Sequence, residues 1–195
     1  MGCVDTGEIA FTGTGGYTTV AYVPGSANAG RPAIIQHPVT QQIIGAYQNA
    51  THLHWISARS DGTGWVDEGP VGVESDMAPA VAYFNDKIHL VYRDKSDEQN
   101  ALWWMTHSDN TSSWSNPVQI PNTAPSESGP ALAVFGDLLY CVYRGPENSL
   151  YYLTLDKGNA TWSARRYIYG AASTSSPSLV VYKGKLYCPY TPPWD

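Results

Sequence analysis

Apolar residues along this chain come in runs of four to eight, broken by short stretches of Gly, Pro, Asn, Asp and Ser. That pattern predicts β-strands, since an amphipathic helix would space its apolar positions every three to four residues. The runs themselves recur. A proline opens an apolar run that closes on a tyrosine thirteen to fifteen residues later: PAIIQHPVTQQIIGAY from Pro32, PAVAYFNDKIHLVY from Pro79, PALAVFGDLLYCVY from Pro130 and PSLVVYKGKLYCPY from Pro177. Successive prolines are 47, 51 and 47 residues apart, and counting on from Pro177 through Asp195 and then from Met1 reaches Pro32 after 50. Repeats of about 40–50 residues that each hold four strands are the units of propellers. A last repeat completed by the chain's own first residues predicts a closed ring. The expectation is an all-β, four-bladed β-propeller in one domain, with blades at about 30–76, 77–128, 129–176, and 177–195 plus 1–29.

The second repeat shows the plan of a blade. Strand A is predicted at about 79–84, a turn at Asn85-Asp86-Lys87, strand B at about 88–93, strand C at about 101–106, and strand D from Trp114 to Ile120. Proline suits the first position of strand A because it has no N–H to give the ladder. Small residues such as Ala80, Ala82, Ala131 and Ala133 suit an innermost strand, where blades converge on one axis. Strand C reads Leu53-His54-Trp55, Leu102-Trp103-Trp104 and Leu150-Tyr151-Tyr152, and strand D carries Trp65, Trp114 and Trp162. The N-terminal segment offers Ile9-Ala10-Phe11 and a run from Tyr17 to Val23, so residues 8–24 would close the last blade with 177–191. Closure removes sheet edges that invite aggregation. The rival assembly has two chains sharing blades; a full set of strands in each chain favours a monomeric ring, with a homo-oligomer through surface contacts as a further option.

Composition narrows the function classes. With 43% apolar and 14% charged residues among 195, the chain is globular. A formal charge of −6 without a Lys/Arg cluster argues against nucleic-acid binding, which depends on neutralising phosphates, and against anionic membranes. No membrane span and no export signal are visible, so a cytoplasmic protein, or one secreted without a classical signal peptide, is expected. Of the three cysteines, Cys141 and Cys188 occupy equivalent places in neighbouring repeats. Packed sheets stand about 10 Å apart, too far for a disulfide, so both are expected to be free thiols, and Cys3 is left over as a surface thiol. No cofactor is expected. The His52-x-His54 pair lacks a third ligand, so no metal is expected either.

The stretch GPALAVFGDLLYCVYRGPENSLYYLTLDKGNATW, residues 129–162, resembles the tandem repeats of propeller lectins and of sialidase-like propellers from fungi and bacteria. The C–D hairpins look like degenerate Asp-boxes, with Asp61, Asp109 and Asp156 preceding Trp65, Trp114 and Trp162. In sialidase propellers such hairpins are structural and lie away from the active site, so the resemblance implies fold and not catalysis.

Function in a propeller is expected on its loops. Past the repeated tyrosines stand Arg93 and Arg144, with Gln48 and Thr191 in the other repeats, and amides precede strand C at Asn49, Asn100 and Asn148, with Asp5 in the N-terminal segment. Trp103 and Tyr151 are the nearby rings, and Glu147 is an acid in the same loop. Guanidinium, carboxamide and a flat apolar ring match a pyranose. The expected ligand set is therefore Gln48, Asn49, Arg93, Asn100, Trp103, Arg144, Glu147, Asn148 and Tyr151. The expected function is a multivalent lectin for glycans or glycoconjugates that is not an enzyme. Two alternatives are a sialidase-like glycoside hydrolase, which needs two carboxylates about 5–9.5 Å apart, and a hemopexin-like protein-interaction scaffold.

Overall fold

A computed structural model describes residues 8–13, 16–22, 31–158 and 161–193, the first two segments by backbone alone. The expected surface thiol Cys3 and the candidate Asp5 lie outside the described residues. The architecture is all-β. Among the described residues the only helical element is a single 3₁₀ turn, Pro146–Asn148, and no helix is long and apolar enough to cross a membrane.

Three antiparallel sheets of four strands follow one another along the chain. The first holds β3 (Ala33–Gln36), β4 (Ile43–Asn49), β5 (His52–Ala58) and β6 (Val66–Glu74). The second holds β7 (Ala80–Phe84), β8 (Lys87–Arg93), β9 (Leu102–His107) and β10 (Val118–Gln119). The third holds β11 (Ala131–Phe135), β12 (Leu138–Arg144), β13 (Ser149–Asp156) and β14 (Arg166–Ala172). Each is a simple meander, and the innermost strands contact one another in the order β3, β7, β11 and β15 (Val180–Tyr182). Expected strands A, B and C of the second repeat are present within one or two residues. Strand D shrinks to Val118–Gln119, because Pro117 and Pro121 bracket it and neither can donate to the ladder.

Near-continuous apolar runs make physical sense here because a sheet flanked by two others is covered on both faces. In the second sheet, Val81, Leu90, Tyr92 and Met105 pack with Ala46, Leu53 and Val71 of the first. On its opposite face Ala82, Val91 and Leu102 pack with Leu139, Cys141, Leu153 and Trp162 of the third. Cys141 and Cys188 are free thiols, and burial pushes both up in pKa.

The fourth repeat yields two separate hairpins. β1 (Glu8–Gly13) pairs with β2 (Gly16–Tyr22), and β15 pairs with β16 (Lys185–Tyr187). The outer and inner halves therefore exist as expected, but they form separate two-stranded sheets.

Candidate functional site

Gln48, Arg93, Arg144 and Thr191 stand at the ends of the B strands, where the loops carry each sheet into the next. Gln48 donates through Nε2 to the carbonyls of Ala50 and Ser75, both at 2.8 Å. The Arg93 guanidinium forks onto the Asp76 carboxylate, with Nε 2.8 Å from Oδ1 and Nη2 on Oδ2, and gives Nη1 to the Ser126 carbonyl at 3.0 Å. Arg144 reaches Glu127 Oε2 at 2.9 Å, the Glu127 carbonyl at 2.6 Å and Asn148 Oδ1 at 3.0 Å. In the last repeat Thr191 takes the same place, accepting from Thr174 N–H at 2.8 Å and from the Ser175 hydroxyl at 3.0 Å. A bidentate guanidinium–carboxylate pair holds a loop in one geometry. Arg93, Arg144 and Thr191 thus clasp their B strands to the crossover that enters the sheet, whereas Gln48 holds the crossover that leaves it.

A second recurring device completes the clasp, and it is a serine four residues before Pro79, Pro130 and Pro177. Ser75, Ser126 and Ser173 are 0%, 1% and 0% exposed. Their N–H groups donate to the carbonyls of Thr51, Asn100 and Asn148 at 2.7, 2.8 and 2.8 Å. Their hydroxyls donate to the carbonyls of Met77, Ser128 and Ser175 at 2.8, 2.9 and 2.8 Å. Asn100 and Asn148 adopt φ of 56° and 59°, a left-handed conformation that asparagine tolerates; the turns it makes aim their carbonyls at the serines. Asn49 is the last residue of β4, paired with His52, and the left-handed position in that loop belongs to Ala50. Glu147 is exposed on the 3₁₀ turn beside Asn148. His52 and His54 face different acids, Glu74 at 3.3 Å and Asp67 at 2.9 Å.

Asn100, Trp103 and Tyr151 adjoin a different feature, a groove of about 260 Å³ between the outer parts of the second and third sheets. Its polar rim is Gln99, Gln119, Asn122 and Arg165, and Ala101, Ile120 and Ala124 supply a small apolar floor beside Thr123, whose hydroxyl donates to the Ile120 carbonyl at 2.8 Å. The rim is organised from behind. Asp97 Oδ2 accepts from Trp103 Nε1 at 2.9 Å and from Gln119 Nε2 at 3.1 Å, while Oδ1 accepts from the Gln99 N–H at 2.9 Å. Burial works to raise the Asp97 carboxyl, but these hydrogen bonds outweigh it and hold the group below the usual carboxylate range.

Arg165 closes the other side. Its Nη1 donates to the Ala124 carbonyl at 3.2 Å, and its guanidinium lies 4.9 Å above the Tyr151 ring, a cation–π geometry. Tyr151 is itself stacked on buried Tyr143 at 5.7 Å, with Tyr167 edge-on at 5.6 Å and Tyr169 a further 5.0 Å along. Burial pushes the Tyr143 hydroxyl up in pKa and the Arg165 charge pulls the other way. Gly145 is required beneath this stack, since a Cβ there would stand 2.9 Å from Tyr151 Cε2.

Sequence reasoning missed Gln99, Gln119, Asn122 and Arg165. None is repeated: the places of Arg165, three residues past the strand-D tryptophan, hold Pro117 and Glu68 in the other sheets. The serine was legible, because it recurs at one offset from Pro79, Pro130 and Pro177. Between β3, β7 and β11 lies a second cavity of about 360 Å³, lined mainly by Ile35, Val81, Ala82, Leu132 and Ala133.

No protein-family model and no curated protein matches the sequence. Solved structures do match in fold. A family 117 glycoside hydrolase, Zg3597 from Zobellia galactanivorans, aligns with a TM-score of 0.61 at 13% identity over 84% of this chain and 55% of its own. GH43B of a Bacteroides ovatus xyloglucan locus aligns at 0.60 and 14% over 80% of this chain and 34% of its own. The endosialidase of phage phi92 aligns at 0.58 and 14% over 87% of this chain and 32% of its own. The chain thus spans about a third to a half of the length of these proteins. Their propeller architecture supports the sialidase-like side of the resemblance and leaves the lectin repeats and Asp-boxes without support. One expectation is corrected: the chain was expected not to be an enzyme, yet the fold it adopts is that of glycoside hydrolases and sialidases.

Proposed function

We propose that this protein recognises carbohydrate, and that the groove between its second and third sheets is the recognition site. The observation that carries the reading is the pairing of an apolar floor with a rim of three amides and one guanidinium. A pyranose has the same two-sided character, with hydroxyls around its edge and C–H groups on its faces. Tyr167 and Tyr169 are 40% and 89% exposed, and they extend the site with flat apolar surface. Arg93, Arg144 and Gln48 contribute by holding the loops. The carbohydrate-active fold neighbours agree with this ligand class. A few hydrogen bonds of about 0.5–1.5 kcal/mol each, less the costs of association, leave a Kd from roughly millimolar to high micromolar. The test is a glycan array followed by calorimetry. Gln119→Ala and Asn122→Ala should each weaken binding about three- to tenfold while leaving the melting temperature within a few degrees; unchanged affinity in both variants would remove the groove from the reading.

The same fold neighbours favour a second reading, cleavage of a glycosidic bond. It requires a pair of carboxylates, and Glu147 and Glu98, both exposed on loops, are the residues to replace. Turnover of a fluorogenic glycoside that disappears in Glu147→Gln would establish it. We further propose that the chain is one domain of four blades whose last blade joins β1–β2 to β15–β16. Multivalence by repetition receives less support, since the groove's arginine is absent from the equivalent places in the first two sheets.

A further inference from the structure

We propose that the groove selects a glycan bearing a carboxylate, with Arg165 as the residue that grips it. This rests on the carbohydrate reading above and names the ligand class for the same site. The two arginines that end B strands are committed to the fold. Arg93 and Arg144 are each paired with an acid, Asp76 and Glu127. Arg165 has no carboxylate partner among the described residues; its contacts are one carbonyl, the face of one ring and the Tyr143 hydroxyl. Those contacts leave donors of the guanidinium free while restraining its orientation, so little side-chain freedom remains to be lost on binding. A guanidinium presents parallel N–H groups that match the two oxygens of a carboxylate.

The rest of the rim does not compete for that charge. Gln99, Gln119 and Asn122 are neutral, and they can serve the hydroxyls around a sugar ring. The acid that organises the rim, Asp97, already accepts from Trp103, Gln119 and the Gln99 N–H, so its charge is spread over donors the protein itself provides. Glu98 lies in the same loop and is exposed to water, where screening limits its repulsion of an anion. The groove thus presents one oriented cation beside three amides on an apolar floor. A carboxylate attached to a pyranose meets both parts at once, whereas a neutral sugar leaves the cation without a partner.

Two natural sources carry this chemistry, hexuronates and sialates, and matched pairs separate them. Calorimetry on the full chain would compare cellobiouronic acid with cellobiose, and 3′-sialyllactose with lactose. The acidic member of at least one pair should bind about 10- to 100-fold more tightly, and Arg165→Gln should reduce that preference to within about twofold. Equal binding of acidic and neutral members would overturn this inference and leave the carbohydrate reading standing. No binding of any of the four, together with an empty glycan array, would overturn both. A preference that survives in Arg165→Gln, with the variant's melting temperature unchanged, would overturn the assignment to Arg165. A glutamate-containing dipeptide binding as tightly as the acidic sugar would overturn the glycan class.

Discussion

His89 shows how burial sets the chemistry of a single side chain in this fold. It is 4% exposed, its Nε2 lies 3.1 Å from the Phe84 carbonyl, and its Nδ1 is buried without a hydrogen-bond partner. A carbonyl only accepts, so Nε2 carries the proton of the neutral ring. Burial pushes the ring's pKa down to about 4, against about 6.5 in an unfolded chain. Between those values the unfolded chain holds a proton that the folded one lacks, so stability falls as pH drops through this window, by up to about 3 kcal/mol. Burial likewise lowers His107, which adds to the same trend. Urea unfolding at pH 7 and at pH 4.5 should show the loss, and His89→Gln should flatten the slope by close to one proton. An identical slope in wild type and variant would count against His89 as its source. At this scale the sequence was legible where residues repeat. Arg165 was not, because its role comes from Tyr151 on the neighbouring strand and Ala124 on the crossover from the second sheet, which no repeat brings into view.

At the scale of elements, the crossovers are joined to the strand ends by a recurring pair. Asp76 and Arg93, Glu127 and Arg144, and Thr174 and Thr191 are each separated by 17 residues, an offset that can be read from the repeat once the contact is known. Arg93→Ala removes the fork onto Asp76 and leaves the Ser126 carbonyl without its guanidinium donor. It should cost about 1–3 kcal/mol of unfolding free energy, read by chemical denaturation. A loss under about 0.3 kcal/mol would mean that water replaces the clasp at little cost. Gly145→Ala tests the stack beneath the groove, since the added methyl would press on Tyr151 and displace the ring on which Arg165 rests. Glycan affinity should fall about tenfold with a smaller relative loss of stability. The expected strand D of the second repeat was too long because hydrophobic pattern alone does not register which N–H groups the ladder needs.

At the scale of the whole molecule, the chain entering β11 approaches the chain entering β7 closely enough to exclude a methyl group. A Cβ at Gly129 would stand 2.4 Å from the Ala78 carbonyl oxygen, a backbone atom that cannot swing aside. Gly129→Ala should destabilise the fold by about 1–3 kcal/mol, measured by thermal or urea unfolding. The proposed closure of the ring makes its own prediction. Val180, Val181 and Tyr187 are 49%, 43% and 45% exposed on the β15–β16 hairpin, more than a covered inner pair allows. Joining β1–β2 to this hairpin would protect the outward amides of β16 from hydrogen exchange, and removing residues 1–24 would abolish that protection. Fast exchange of those amides in the intact chain would refute closure.

Local chemistry along the chain specifies the strand count of each complete repeat and the turns between strands: apolar runs of strand length, proline at strand starts and turn formers between them. Tertiary structure decided which polar side chains are spent on the fold and which are left for a ligand. Arg93 ends a B strand and Arg165 precedes a D strand, and the position of Asp76 against one and of the Tyr151 face against the other separates a clasp from the proposed grip. The first pairing joins a strand end to the crossover from the preceding sheet and the second joins neighbouring strands of one sheet, and the apolar pattern along the chain specifies neither side-chain meeting.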